Sequence, residues 1–307
     1  MKAKEALLAI KDKIKSIIEL SWLSVNRDNS EILDFDRREL FERYKNMVDV
    51  KLRKQAKELI VYQLQLESKV NTISTKFKEE CLSLMLYNPI NDVYNDTTIE
   101  QFDTVDTELM KTDLYKAFSV LGVVRDKSNL IQNHIVTIKK TIQKIKDNQP
   151  IDINDAFVLS LIKRTLSIIN ISKEHENQKK EIFKPMTDFV DDLKKFMNDK
   201  DFKFENGEVV INLKNQKDSS IDISSLSSGE KQLFILLTEA LLQKEKPFLF
   251  IADEPELSLH IEWQRKILGE ILKLNPSVQI IVATHSPEIA GNFPNNIINM
   301  KGITSYE

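Results

Sequence analysis

The chain has 307 residues, of which 41% are hydrophobic and 30% are charged, and its formal net charge is −3. The hydrophobic content predicts a folded core and excludes a disordered tail, and the balanced charge excludes a strongly basic nucleic-acid binder. These totals do not exclude a local basic patch on the surface. The single cysteine excludes an internal disulfide, and no apolar run reaches the length of a membrane span. We therefore expect a cytoplasmic protein with no membrane segment.

The first part of the sequence predicts mainly helices. Lys2–Glu19 carries apolar residues at helical spacing, and Leu20–Val25 predicts a short strand. A capping-box pattern at Asp36–Glu39 predicts the start of a long helix. From Leu52 to Leu84, apolar residues recur mostly three and four positions apart, which is typical of a coiled-coil-like arm.

The next region alternates between loop and helix signals. Residues 91–107 are polar and acidic, which indicates a loop, and helical periodicity returns in segments near 106–121, 127–146 and 154–171. After a charged stretch, Pro185 marks the entry to a last helix that ends near Met197. The pair Asn206-Gly207 separates two strand patterns and predicts a β-hairpin.

Two apolar runs in the last third predict strands that are buried on both faces of a parallel sheet. The first, Phe248–Ala252, ends in Asp253 and Glu254, and the second, Val278–Ala283, is followed closely by His285. Functional groups in parallel sheets gather at the carboxyl ends of the strands, so these side chains should share one edge. One carboxylate there can hold a hard cation, and the other can polarise an attacking water.

The stretch Leu226–Gln232 leads into an apolar-periodic helix. It has the sequence Leu-Ser-Ser-Gly-Glu-Lys-Gln, and its small residues fall where the helix should begin. Free backbone N–H groups and the helix dipole at such a start suit a phosphate. A plain N-cap is the simpler interpretation of Ser227, since serine is common at that position.

Together these stretches resemble the ATP-binding-cassette (ABC) type of ATPase, and most the branch that contains the SMC, Rad50 and RecF ATPases and the overcoming-lysogenization-defect-like (OLD-like) ATPases. Leu226–Gln232 resembles the signature motif, Phe248–Glu254 the Walker B motif, Leu257–His260 the D-loop, and His285 the switch histidine. The signature departs from the usual Leu-Ser-Gly-Gly-Gln, because a serine replaces the first glycine and a glutamate replaces the glutamine. The resemblance covers about the last third of the chain.

The resemblance implies a role for each matched residue. Asp253 would steady the water shell of Mg²⁺, Glu254 would act as the general base, and His285 would contact the γ-phosphate. The residues implied in binding ATP, with the signature of one protomer closing on the nucleotide of the other, are Ser227, Ser228, Gly229, Glu230 and Ser258. From the residues alone, simpler alternatives stay open: a solvated strand end for the two acids and a hydrogen-bonded histidine for His285.

One motif of this class is missing from the sequence. A Walker A loop, G-x-x-x-x-G-K-[ST], cradles the phosphates with backbone N–H groups, but Gly122 is the only glycine before Gly207 and no Gly-Lys-Ser/Thr occurs. We therefore expect that this chain does not bind ATP in the usual way alone. The sequence is expected to be a fragment whose first lobe lies upstream or on a separate polypeptide, with a natural split subunit as the alternative.

These inferences give an α/β fold class: the C-terminal half of a P-loop (ABC-type) ATPase lobe with a long helical, coiled-coil-like N-terminal arm. The arm is assigned to residues 1–200 and the lobe to residues 201–307. The resemblance implies ATP and Mg²⁺ as cofactors, and a homodimer or a complementary ATPase half as partner, with DNA or a nuclease as further candidates. The alternative function is a non-hydrolytic interaction subunit that complements a complete ATPase or docks a nuclease.

Overall fold

The fold is taken from a computed structural model of the chain. It describes residues 19–24, 37–86, 105–123, 128–205, 208–214, 220–243 and 248–300, and for 19–24 and 37–47 the description is limited to the backbone. The predicted helix Lys2–Glu19, apart from its last residue, the centre of the predicted loop at 91–107 and the Asn206-Gly207 turn lie outside these ranges. The description below therefore concerns the remaining elements.

Helices dominate the described residues, and two small sheets accompany them. The helices are α1 (Arg37–Ser83), α2 (Thr107–Val120), α3 (Ser128–Lys146), α4 (Ile153–Phe196), α5 (Ser228–Leu242), α6 (Ile261–Leu274) and α7 (Pro287–Ala290), with 3₁₀ turns at Ile223–Ser225 and Pro294–Asn296. The strands are β1 (Glu19–Ser24), β2 (Lys200–Glu205), β3 (Glu208–Leu213), β4 (Ser220–Ile221), β5 (Phe248–Asp253) and β6 (Val278–Ala283). The predicted mixed α/β class is confirmed.

The chain divides into two compact units. Unit 1 combines residues 1–65 with 184–307, and unit 2 comprises residues 66–183. The unit boundaries fall within α1 and α4. β1 comes from the region predicted as the arm, yet it pairs with β5 of the predicted lobe. The assignment of 1–200 and 201–307 stays a prediction, and the first strand of the sheet comes from the N-terminal side of that boundary.

Unit 2 is helical, and its core is built from the apolar faces of α2, α3 and α4. The buried side chains of this core are Met110, Leu114, Ile131, Ile135, Ile138, Ile142, Ile162 and Ile169. Buried acids are neutralised at its margin: Asp113 pairs with Lys173 at 2.8 Å, and Asp155 pairs with Lys144 at 2.8 Å. Because isoleucine and leucine recur at three- and four-residue spacing, each helix presents one continuous apolar stripe to its neighbours.

Unit 1 contains a three-stranded parallel sheet in the order β1-β5-β6. Phe248, Phe250 and Ala252 of β5 are buried on one face. The long buried helix α5 supplies much of the surrounding core; Phe234 stacks on Phe202 and meets Phe189 edge to face. The sheet and α5 together form the framework that holds the three sequence motifs.

The antiparallel sheet of unit 1 has the order β2-β3-β4. β2 and β3 pair from Lys200↔Leu213 to Glu205↔Glu208, which is the register of the predicted hairpin. Ile211 of β3 and Phe202 of β2 are buried. The hairpin therefore follows α4 directly and precedes α5, so it lies between the last long helix and the signature stretch along the chain.

Two features differ from the sequence predictions. Neither β5 nor β6 is fully buried on both faces: Leu249 and Ile251 of β5 are half-buried, and Gln279 and Ile281 of β6 are exposed, because the described elements cover mainly one face of the sheet. The predicted helix near 154–171 and the last helix are one continuous helix, α4. Pro185 lies inside it, although proline has no N–H to donate to the carbonyl four residues earlier. The charged residues between the two predicted helices are good helix formers, which explains the continuity.

The predictions of a long helix after the capping-box pattern and of helices near 106–121 and 127–146 are confirmed. α1 begins near the capping-box pattern and its predicted apolar stripe is largely buried; Leu52, Leu59, Leu66 and Phe77 are each at most 3% exposed. The coiled-coil character of this arm stays a prediction. Among the described residues, no helix combines the length and the apolar character that a membrane span requires.

Candidate functional site

The carboxyl ends of the three parallel strands lie at one edge of the sheet. Ser24 of β1 pairs with Asp253 of β5, which pairs in turn with Ala283 of β6, so all three strands end in register. Asp253 is exposed at this edge. The arrangement places the first residue of the predicted acid pair where parallel sheets carry their functional groups.

Glu254 follows in a left-handed backbone conformation with φ of 47°. Its N–H donates to the carbonyl oxygen of Ala283 at 2.7 Å, which fixes the residue to the end of the neighbouring strand. A non-glycine residue in this region costs of order 1 kcal/mol or more and persists only when its surroundings hold it. The structure therefore keeps Glu254 in a strained turn at the sheet edge.

His285 and Glu254 are brought together, as the motif order predicts. The His285 Nε2 atom lies 3.9 Å from Glu254 Oε1. The imidazole side chain is 93% exposed and the Glu254 side chain is 41% exposed, so both groups face solvent rather than the core. The simpler interpretation of His285 as a histidine satisfied within the fold does not match this exposure.

The predicted signature residues begin α5. Ser227 is the N-cap: its Oγ accepts from the Glu230 N–H at 3.4 Å, and the Glu230 carboxylate accepts from the Ser227 N–H at 2.9 Å. This reciprocal pair is a capping box. Ser228 is exposed and Gly229 is buried, and their N–H groups have no acceptor in the described part of the chain. Of these two residues, only Ser228 is exposed at this helix start.

Lys200 extends the capping box. Its Nζ donates to Glu230 Oε1 at 2.7 Å and to Asp199 Oδ2 at 2.8 Å, and its side chain is only 10% exposed. Burial alone would raise the pKa of the Glu230 carboxyl, but the hydrogen bonds from Lys200 and Ser227 outweigh burial and lower that pKa below its usual value. Glu230 therefore has a defined structural role at the helix start, and its predicted contact with ATP stays a prediction.

Gly229 lies against the turn formed by residues 254–258. A Cβ at this position would lie 2.3 Å from the carbonyl oxygen of Ser258. Ser258 itself has a φ of 69°, and its side chain is exposed. The D-loop stretch and the signature helix of the same chain are therefore in backbone contact, which the sequence motifs by themselves do not show.

Two further residues next to the D-loop stretch have structural partners here. His260 is the N-cap of α6, where its Nδ1 accepts from the Glu262 N–H at 3.4 Å. Trp263 packs edge to face on Phe196 with ring centroids 6.1 Å apart, as expected of a packing residue. His134 and His175, to which no role is assigned, lie in unit 2, where each bonds a hydroxyl group.

Glu256 is the residue that sequence reasoning missed. Its Oε1 accepts from Thr284 Oγ1 at 2.5 Å, from the His285 N–H at 3.1 Å and from the Ser286 N–H at 3.2 Å. Nothing in the spacing of the sequence indicates that this acid, 28 residues before Thr284, binds the loop after β6. The only signal is a third acid directly after Asp253-Glu254-Pro255.

The donor set suits Mg²⁺ better than a metal that needs many protein ligands. Among the residues the structure describes, no group of three or more His, Cys, Asp or Glu side chains is arranged to hold a metal ion. Mg²⁺ usually keeps several waters and binds through one or two carboxylates together with substrate phosphates. The exposed Asp253 carboxylate, at the strand end beside Glu254, fits that mode of binding.

A comparison of the sequence with protein-family models identifies the family of this chain. A family model described as "AAA domain, putative AbiEii toxin, Type IV TA system" matches residues 16–291, which is most of the sequence. The chain belongs to this AAA-domain family. Membership supports an ATPase-like function.

One curated relative of this AAA-domain protein is the "Retron Vc95 probable ATPase" of Vibrio cholerae serotype O1 biovar El Tor. The two sequences are 34% identical over a segment that covers 22% of this chain and 16% of the relative. The match therefore spans a small part of the relative's length.

Among solved structures, the AAA-domain protein is similar to three SMC head domains. The first is an SMC head bound to the C-winged helix domain of ScpA, with 24% identity, 40% of each chain covered and a TM-score of 0.30. The second is the Smc head with an extended coiled coil from Pyrococcus furiosus, bound to the C-terminal domain of ScpA, with 18% identity, 74% of this chain and 52% of that chain covered, and a TM-score of 0.28. The third is the Smc head with a coiled coil and joint from Pyrococcus yayanosii, with 16% identity, 84% and 63% covered, and a TM-score of 0.29. These TM-scores are low, so family membership rests on the sequence match.

Proposed function

We propose that this AAA-domain protein binds Mg²⁺·ATP at the carboxyl edge of its parallel sheet and takes part in hydrolysing it. The observation that carries the proposal is the 3.9 Å approach of His285 Nε2 to Glu254 Oε1, at the strand end that also presents Asp253. Phosphoryl transfer depends on positioning and on charge stabilisation more than on covalent chemistry. The carboxylates of Asp253 and Glu254 and the imidazole of His285 lie at one solvent-facing edge of the sheet. These are the groups that this reaction needs.

Each group has a distinct task in this proposal. The Asp253 carboxylate would hold Mg²⁺ through its water shell, and bound Mg²⁺ supplies charge neutralisation on the phosphate oxygens. Glu254 accepts the proton of the attacking water, and His285 donates a hydrogen bond to the terminal phosphate. The N–H group of the exposed Ser228 suits a phosphate at the start of α5, which supports contact of this signature helix with nucleotide held mainly by a partner.

The phosphate cradle is proposed to come from elsewhere. The 307 residues contain no G-x-x-x-x-G-K-[ST] sequence, and six glycines in all leave little backbone that could wrap a triphosphate. We therefore assign the chain the signature and Walker B half of a dimeric ABC-type site, with residues 1–200 contributing the helical arm and 201–307 the lobe. A second copy or a complementary ATPase half provides the opposing face, and DNA-associated or defence work is the proposed context.

The experiment compares variants of Glu254. The chain is purified together with the products of its adjoining coding sequences, and Mg²⁺-dependent phosphate release from ATP is measured. Loss of a general base typically costs 10²–10⁴-fold in rate, so Glu254→Gln should lower hydrolysis by about a hundredfold or more while retaining ATP binding. Unchanged hydrolysis by Glu254→Gln would refute the proposed role.

A matched control separates this role from a general loss of surface charge. Glu262→Gln removes an acid from the exposed first turn of α6, outside the sheet edge, and should leave hydrolysis unchanged. A parallel titration of the chain alone with Mg²⁺·ATP tests the phosphate cradle. Tight binding by the chain alone would contradict the assignment of the cradle to another segment.

A second candidate function is a non-hydrolytic interaction subunit, and the missing Walker A sequence favours it. In that case the chain presents its signature face to a complete ATPase or docks a nuclease. Hydrolysis by the assembly would then be insensitive to Glu254→Gln but would fall when the start of α5 is altered, for example by Ser228→Glu. The two outcomes distinguish the candidates.

A further inference from the structure

The turn formed by residues 254–258 is bound on one side to the loop that follows β6. Glu256 provides three hydrogen bonds through a single oxygen, Oε1, which accepts from the Thr284 hydroxyl and from the N–H groups of His285 and Ser286. The other oxygen, Oε2, is buried and has no partner among the described residues. A carboxylate that is held in this way fixes the loop more firmly than a single neutral hydrogen bond would.

A second residue braces the same turn. Gln264 on α6 donates through Nε2 to the Glu256 carbonyl at 3.4 Å and to the Leu259 carbonyl at 2.9 Å, and its Oε1 accepts from Ser286 Oγ at 2.7 Å. Ser286 Oγ in turn accepts from the Glu288 N–H at 3.2 Å and caps α7. The loop after β6 is thus tied to the 254–258 turn and to α6, and a single oxygen of Glu256 accepts three of these bonds.

The His285 side chain depends on this backbone support. Because its imidazole is 93% exposed, packing does not hold it, and its position relative to Glu254 is set by the backbone to which it is attached. The hydrogen bond from the His285 N–H to Glu256 therefore fixes the backbone position from which the imidazole extends. The Glu254 N–H makes its own hydrogen bond to the carbonyl oxygen of Ala283, the residue that precedes this loop.

We infer that Glu256 is a positioning residue that holds the loop at residues 284–286 so that His285 faces the nucleotide beside Glu254. This inference rests on the proposed function, since it assigns Glu256 a part in the same site. Glu256 itself touches no reacting atom. It acts through His285, because its hydrogen bonds reach the backbone of the loop and not the edge where Asp253 is exposed.

The first test measures the loop directly, in the chain alone. Amide hydrogen exchange at His285 should be slow in the wild type and should accelerate in Glu256→Ala, which removes its acceptor. The Ser286 N–H also donates to Thr284 Oγ1 at 2.9 Å, so its exchange should change less. Glu256→Gln retains an acceptor oxygen and should keep most of the protection. Thr284→Val removes one of the three donors to Glu256 and also an acceptor of the Ser286 N–H, but it keeps the carboxylate that the His285 N–H contacts. It provides a milder variant, read at the His285 amide, in case Glu256→Ala does not fold. Exchange at the His285 amide that is unaffected by Glu256→Ala, or a loss of protection there in Glu256→Gln as large as in Glu256→Ala, would overturn the inference.

The second test asks whether Glu256 acts through His285. Hydrolysis of Mg²⁺·ATP is measured in the co-purified assembly for Glu256→Ala, His285→Ala and the double variant. Misplacement of a functional group by about 1 Å can cost up to a hundredfold, so Glu256→Ala should lower kcat by about tenfold or more with little change in KM. In the His285→Ala background, Glu256→Ala should have no further effect, whereas a purely structural role would lower activity in both backgrounds.

The possible outcomes separate the two proposals. If Glu254→Gln and His285→Ala reduce hydrolysis but Glu256→Ala does not, the positioning role is wrong and the proposed function stands. If none of the three changes hydrolysis, the proposed function fails and the positioning role fails with it. Fully additive losses in Glu256→Ala and His285→Ala would also overturn the positioning role.

Discussion

Gly229 and Ser258 are in backbone contact: a methyl group on Gly229 would lie 2.3 Å from the Ser258 carbonyl oxygen, closer than carbon and oxygen atoms can approach. The start of the signature helix and the D-loop stretch therefore fit together only when residue 229 has no side chain. Ser258 is held in a left-handed conformation, so its carbonyl cannot turn away without rebuilding the turn. The glycine is explained by packing within one chain, independently of any bound phosphate.

The first prediction concerns this contact. Gly229→Ala should destabilise the chain by about 1–3 kcal/mol, the usual range for overpacking, because the neighbouring atom is backbone and cannot rotate away. The free energy of unfolding, measured by urea denaturation, checks this. Gly269→Ala is the matched control: Gly269 lies in α6, with nothing within 4 Å of the added methyl. That change should stabilise by about 0.5–1 kcal/mol, since alanine favours a helix over glycine. Equal effects of the two substitutions would contradict the packing explanation.

The second prediction concerns acid stability. The pKa of Glu230 is lowered below its usual value of 4.5, since the hydrogen bonds from Lys200 and Ser227 outweigh the effect of burial. A carboxyl whose pKa is lower in the folded state than in the unfolded state stabilises the fold above the unfolded value. This contribution is lost as the pH falls through the folded value. Glu230→Gln should therefore reduce stability by about 1–2 kcal/mol at pH 7 and give a shallower loss below about pH 4.5.

The measurement is the free energy of unfolding as a function of pH, compared between wild type and variant, so that the contributions of other carboxyls cancel in the difference. Glu79→Gln, on an exposed part of α1, is the control. Its free energy of unfolding should be close to that of the wild type at every pH. A difference for Glu230→Gln that grows towards acid pH, instead of shrinking, would show that the sign of the pKa shift is wrong.

The third prediction concerns a buried acid between α4 and α6. Asp192 is 0% exposed, and its Oδ1 accepts from Lys195 Nζ at 2.7 Å and from Lys273 Nζ at 2.8 Å. The hydrogen bond from Lys273 to Asp192 raises the pKa of that lysine. Either lysine alone can neutralise the acid, so Lys195→Met or Lys273→Met should each cost about 1 kcal/mol. Together they should cost about 3–5 kcal/mol, since the carboxylate is then buried without a partner.

Chemical denaturation of the four species (wild type, two single variants and the double variant) gives the coupling energy. A positive coupling is expected, because each lysine compensates for the loss of the other. Strict additivity would indicate that Asp192 is reached by water or by another cation once a lysine is removed, and the shared-partner explanation would then be wrong.

Much of the architecture follows from local patterns. The apolar run before Asp253, the periodic stretch after Gln232 and the Asn-Gly pair each predict the element that is found, since burial, helical periodicity and turn chemistry are local properties. Pro185 misled the prediction, because a helix packed along its length tolerates the loss of one hydrogen bond. The exposure of one face of β6 could not be predicted from the sequence. Apolar residues in a strand indicate that burial is favourable, but they do not show which face of the sheet packs against other elements.

The sequence by itself determined the order of the motifs, the residue types at positions 253, 254 and 285, and the absence of a glycine-rich phosphate loop. The tertiary structure decided how these groups are held. It set β1 beside β5, placed Glu256 under the loop after β6, and pressed Gly229 against Ser258. The physical reason is that chemistry and local conformation are properties of neighbouring residues, whereas hydrogen bonds and close contacts between distant segments arise only when the whole chain packs.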